Sequence, residues 1–160
     1  MTTGPLRLGW FSTGNGEGSY GLLKAALDAI DSGKLNASIE FVFCNREKGQ
    51  TAGSDRFIDF AESRGIPVVT LSSRRFRREH DNRRWSELRE DFDRAVLGLI
   101  EQFEVDITVN AGYMLIAPLL CQEPLMINLH PALPSIRPQQ GVEKVCLDTP
   151  KLHGFALSLP

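Results

Sequence analysis

Short apolar runs alternate along this chain with longer stretches whose apolar residues recur at helical spacing, and few architectures accept that order. Residues 6–12, 37–44, 67–71, 105–111 and 125–129 read as strands, rich in β-branched and aromatic side chains or as continuous apolar runs. Residues 22–32 carry apolar side chains at 22, 23, 26, 27 and 30, which is one face of a helix closed by Gly33. Residues 55–64 turn Phe57, Ile58 and Ala61 inward and stop at Gly65. Residues 85–103 do the same with Leu88, Phe92, Ala95, Val96, Leu99 and Ile100. Residues 140–148 suit a further helix and 153–159 a last strand, while 72–86 form an arginine-rich link. Strands separated by helices pair in parallel, and the helices cover both faces of the sheet. The expected fold is therefore α/β and Rossmann-like, a mainly parallel twisted sheet in one domain over residues 1–160.

Composition narrows the class further. A chain of 160 residues with 42% hydrophobic content holds a real core, and its net charge of −2 gives no overall attraction to nucleic acid or anionic lipid. No apolar run reaches the roughly 20 residues needed to cross a bilayer, and the N-terminus has no signal-peptide pattern. Cys44, Cys121 and Cys146 are scattered, so reduced thiols in a cytoplasmic protein are expected. His80 and His153 belong to no ligand cluster, and no metal is expected. Cys121 lacks a base with a defined relation to it and is a poor candidate nucleophile. Arg74, Arg75, Arg77, Arg78, Arg83 and Arg84, with Phe76 and Trp85, make a basic patch. Glu87, Glu90, Asp91 and Asp93 follow and are expected to pair with it, which favours a solvated helix start over a nucleic-acid site.

In an open parallel sheet, ligands bind where loops gather at the carboxyl ends of the strands. Three loops qualify. The first, from Thr13 through Gly14, Asn15, Gly16, Gly18 and Ser19 to Gly21, joins a strand to a helix, so inward backbone N–H groups and the helix dipole suit an anion such as phosphate. Gly16, Gly18 and Gly21 also satisfy a dinucleotide glycine pattern. The acidic residue that pattern requires after the second strand is missing, since Cys44-Asn45-Arg46 stands there. The second loop, Gly112 to Ala117, is apolar where a surface loop is usually polar. It either lines a pocket for a flat ring or fills core space. In the third, Asn128 and His130 lie two residues apart on a strand and so share a face, ahead of Pro131. An amide donor beside an imidazole can hold an oxyanion and move a proton.

Together, Thr13–Gly16, Val42–Asn45, Gly65–Pro67, Ala111–Met114 and the run Ile127–Pro134 resemble the glycinamide ribonucleotide formyltransferase family over nearly the whole chain. The resemblance implies the formyltransferase N-terminal fold and a formyl donor, 10-formyltetrahydrofolate. It implies that the loop bearing Thr13, Gly14, Asn15, Gly16, Gly18 and Ser19 holds the phosphate of a ribotide acceptor, with Gly112 and Pro131 beside the substrate. Tyr113, Met114, Leu115, Ile116 and Ala117 would line the pterin pocket, and Asn128 and His130 would stabilise the tetrahedral intermediate.

The chain departs from the family in three places. Leu115 replaces an arginine. Glu17 is inserted where it repels a phosphate unless turned away. The family's catalytic aspartate falls beyond Pro160, so the resemblance implies a domain incomplete at its C-terminus. Two other readings stay open: a shortened, non-catalytic module that binds folate or a nucleotide, and a methionyl-tRNA formyltransferase-like enzyme whose arginine patch touches tRNA.

Overall fold

The computed structural model describes residues 4–122 and 125–129. Within them the order is β1 (Leu6–Ser12), α1 (Glu17–Asp31), β2 (Ala37–Cys44), α2 (Ala52–Ser63), β3 (Val68–Thr70), α3 (Ser73–Glu79), α4 (Trp85–Ile100), β4 (Ile107–Asn110) and β5 (Met126–Asn128). All four strand pairings are parallel, and the strands lie in the order β3-β2-β1-β4-β5. The expected Rossmann-like α/β fold is what forms. The expected helix 140–148 and strand 153–159 lie outside the described residues.

Alternation along the inner strands builds two cores. Leu8, Trp10, Val42 and Cys44 face α1 and α2 through Leu23, Leu27, Phe57, Ile58 and Ala61. Phe11, Phe41 and Phe43 face the opposite way, onto Phe76 of α3 and Leu88, Phe92, Val96 and Ile100 of α4. Because β2 is covered on both sides, residues 41–44 are all buried and read as an unbroken apolar run.

β1 and β2 keep their expected bounds, and the departures elsewhere have physical causes. α1 starts at Glu17 rather than residue 22, so Gly18, Ser19 and Gly21 lie inside it. Glycine is a poor helix former, but the first-turn N–H groups need no intrahelical partner and α1 packs against a strand, which offsets the propensity. α2 starts at Ala52 because the Thr51 hydroxyl accepts from the Ser54 amide, a cap upstream of the expected start. Part of the arginine-rich link is α3, capped by the Ser72 hydroxyl accepting from the Arg75 amide and anchored by buried Phe76. Along α4, Leu99 is exposed, contrary to expectation, while Asp93 is 1% exposed on the inward face. A periodicity count treats every carboxylate as outward, so it misplaces this one.

The basic patch is only partly paired as expected. Arg83 meets Glu87, and Arg75 meets Glu47 and Glu79, but Glu90 and Asp91 pair with Arg94.

Candidate functional site

The chain runs β1 to β2 to β3 in one direction across the sheet, then returns past β1 to lay down β4 and β5. Connections leaving β1 and β4 therefore diverge, and a crevice opens between their carboxyl ends, the general ligand position in such sheets. The sequence names the loops, but only the strand order shows which two of them share the crevice: Thr13–Gly16 after β1 and Ala111–Ala117 after β4.

These two loops are tied to each other. The Thr13 amide donates to the Gly112 carbonyl at 3.0 Å, and the Met114 amide donates to Thr13 Oγ1 at 3.3 Å. The Gly14 amide is held by Ser12 Oγ at 3.1 Å. Gly112 has φ +80°, and a Cβ there would meet Ser19 Oγ at 2.6 Å, so only glycine lets the second loop pass the start of α1. Gly14, at φ +68°, is needed in the same way, because a Cβ would strike the Phe57 ring at 2.9 Å. At Gly16, Gly18 and Gly21 a Cβ meets nothing within 4 Å. The apparent dinucleotide triplet therefore lacks the close helix–strand approach for which its third glycine is normally required.

Gly16 caps α1 without a side-chain hydrogen bond, so the first-turn amides are not claimed by a capping side chain. Asn15, Gly16 and Gly18 are exposed and Ser19 is half-buried. Thr13, expected to bind phosphate, lies at the root of the loop. It is buried, and its hydroxyl braces the Met114 amide. Glu17 is turned to Arg56 of α2, whose guanidinium also lies 4.1 Å over the Tyr20 ring. The carboxylate is thus paired with a cation at the edge of the Gly14–Ser19 loop.

Met114 is 70% exposed, and Leu115 and Ile116 are half-buried. Of the five residues expected at the pterin pocket, Tyr113 and Ala117 turn their side chains inward. Both are buried in the core, with the Tyr113 ring 5.9 Å from that of Phe11 and 6.0 Å from that of Phe43. Burial pushes the Tyr113 phenol well above its usual pKa. Asn128, exposed at the end of β5, sits in register with Asn110 of β4, which is itself in register with Phe11 of β1. His130 and Pro131 lie outside the described residues. Cys44 is buried, and its thiol is pushed up to about 11, so it is a poor nucleophile.

Residues 13–155 match the formyl transferase family. The chain belongs to that family. The matched span holds both crevice loops and the Asn128–Pro131 run. Among similar curated proteins is the human trifunctional purine biosynthetic protein adenosine-3, 30% identical over 126 residues. That alignment takes in 76% of this chain but only 11% of the relative, so the chain corresponds to a small part of a much longer protein. No solved structure matches the chain. Among the described residues no group of three or more His, Cys, Asp or Glu is placed to hold a metal, and no helix is long and apolar enough to cross a membrane.

Two residues that brace the loop after β4 were missed by sequence reasoning. Asn110 Oδ1 accepts from the Tyr113 amide at 3.0 Å and so turns the chain at the end of β4. An Asn three residues before a turn amide was the available signal. Asp93 Oδ2 accepts from the amides of Leu119 and Leu120 at 2.8 and 3.3 Å. No sequence pattern links positions 26 residues apart on different elements.

Burial raises the Asp93 carboxyl from 3.8 to about 6, against the two amides, which lower it, and with Glu90 adding to the rise. Between those values the folded chain keeps a proton that the unfolded chain has released. Stability from this group is therefore full below pH 4 and declines as pH rises towards 6, by roughly 3 kcal/mol in all. Asp93→Asn should flatten that slope. Urea titrations of both proteins at about pH 4.5 and about pH 7 measure it, and an equal slope in the variant would assign the effect to another group.

Proposed function

We propose that the crevice transfers a formyl group from 10-formyltetrahydrofolate to the amine of a phosphorylated sugar such as glycinamide ribonucleotide. The observation that carries this reading is the Asn110–Asn128 register at the crevice mouth of a formyl transferase chain. It puts an exposed amide at the carboxyl edge two strands from the phosphate loop, a separation of about 10 Å. A ribotide with its phosphate at one end and its amine at the other suits that span. The human purine biosynthetic relative favours such an acceptor over a tRNA.

In this reading the first-turn amides of α1, with Asn15 and Ser19, hold the phosphate at the positive end of the helix dipole. The exposed side chain of Met114 and the half-buried Leu115 and Ile116 offer an apolar edge that fits a pterin ring. Leu115, in place of the family's arginine, leaves pterin binding there to apolar contact and backbone groups. The donor supplies an already activated formyl group, so the chain needs no nucleophile of its own. The Asn128 amide donates to the formyl oxygen as negative charge grows on it, and His130 takes part in moving the amine proton.

The test is a deformylation assay with a 10-formyl folate and a panel of amines: the ribotide, its dephosphorylated form and methionyl-tRNA. The ribotide should turn over, and removing its phosphate should raise KM about 100-fold, as expected for the loss of charge-assisted bonds. Turnover on the tRNA alone would overturn the acceptor. Folate binding without turnover on any amine would replace the enzyme by a binding module.

A further inference from the structure

We propose that Asp93 is a positioning residue for the folate side of the crevice, acting from α4 on the loop that carries Met114, Leu115 and Ile116. The loop leaves β4 at Asn110 and returns to β5 at Met126. Its start is pinned by Asn110 Oδ1 on the Tyr113 amide and by Thr13 Oγ1 on the Met114 amide.

Its far side is a helical turn, where the Cys121 amide donates to the Ala117 carbonyl and the Gln122 amide to the Leu119 carbonyl. A helical turn leaves its first amides without acceptors inside the turn. Here the first position is Pro118, which has no N–H. The next two amides, those of Leu119 and Leu120, both donate to Asp93 Oδ2. A carboxylate from another element thus does what a capping side chain normally does from within.

The contact is built for position. Leu120 is 2% exposed and Asp93 1%, so at the buried Leu120 amide water is a poor replacement for the acceptor if the side chain is removed. Tyr113, at the root of the loop, lies in the same core cluster as Leu120 and the α4 residues Phe92 and Val96. Loosening the turn would therefore free the loop at one end while the Asn110 and Thr13 ties still hold the other. Asn15, Gly16 and Ser19 belong to a different loop and helix and keep their own supports. Losing Asp93 should weaken folate binding and spare the acceptor.

The assignment of the loop to folate rests on the proposed formyl transfer; the pinning of the loop does not. Hydrogen exchange on the full chain reads the pinning directly. In Asp93→Ala the amides of residues 119–122 should exchange about 100-fold faster while those of Tyr113, Met114, β1 and β2 stay within about 3-fold. Asp93→Asn keeps an oxygen acceptor and should restore protection. If the alanine variant does not fold, Asp93→Leu removes the acceptor at similar volume. Kinetics read the second half: the KM for the 10-formyl folate should rise about 10-fold in the alanine or leucine variant, with the acceptor KM within about 2-fold and rescue by asparagine.

Unchanged or uniformly accelerated exchange would overturn the positioning role, whatever the activity. Selective loosening with both KM values raised equally would overturn the folate assignment of the loop. Selective loosening in the variant, with a wild-type chain that turns nothing over, supports the pinning and counts against formyl transfer instead.

Discussion

Asn128→Ala should lower the formyl-transfer rate about 10²–10³-fold, the usual loss when one oxyanion donor is removed, and leave the melting temperature nearly unchanged. The side chain is exposed at the end of β5, and the backbone there is held by the Leu129 amide on the Asn110 carbonyl. The fold therefore does not depend on the amide group. Asn128→Asp keeps the shape but puts an anion where an N–H is needed, so it should lose at least as much. His130→Ala should fall by about 10²–10⁴-fold, in the range for loss of a general acid–base group. Both losses should appear in kcat, because in the proposed reaction the amide and the imidazole act on developing charge. Steady-state rates with unfolding curves for each variant decide the matter. An unchanged kcat in Asn128→Ala would remove that residue from the reaction and with it the site drawn here.

Gly9→Ala should destabilise the chain by about 3 kcal/mol, the upper part of the range for overpacking a core. A Cβ on Gly9 would lie 2.7 and 2.8 Å from the Cζ and Cε1 atoms of Phe41 and 3.2 Å from Thr108 Cγ2. Phe41 is fully buried between Phe11, 5.7 Å away, and Phe103, 5.0 Å away, so its ring has nowhere to retreat. The β1–β2 register shift between Leu8 and Gly9 sits at the same point, where the missing side chain lets the Phe41 ring cross the strand. Gly98→Ala is the control. Gly98 is exposed in α4, and a Cβ there meets nothing within 4 Å, so the change should stabilise by about 0.5–1 kcal/mol. Denaturant midpoints for the two variants should move in opposite directions. A Gly9→Ala protein as stable as the parent would mean that the two central strands repack more freely than this close approach allows.

Much of this architecture was legible because burial leaves a one-dimensional trace. β1 and β2 have their expected bounds since apolar runs end sharply at Ser12 and at Cys44-Asn45. Helix stops at Gly33 and Gly65 were equally plain. Starts were harder: α1 begins among glycines whose low propensity argued against it, and α3 hides in a run of arginines around the single inward Phe76. In both cases packing against the sheet outweighs local preference, and packing is not written in the local sequence.

The sequence by itself determined the parallel α/β class, the candidate loops at the strand ends and an amide–imidazole pair, with formyl transfer implied by the family resemblance alone. Those follow from periodicity, breakers and short motifs, each of which acts over a few residues. The tertiary structure alone decided which loops share the crevice, because strand order depends on the direction in which the chain crosses the sheet after α4. It also made Thr13 a brace on Met114, 101 residues away. It moved Tyr113 and Ala117 into the core and gave Asp93 two distant amides to hold. A hydrogen bond forms where donor and acceptor come within about 3 Å, and for partners so far apart along the chain only the fold sets that distance.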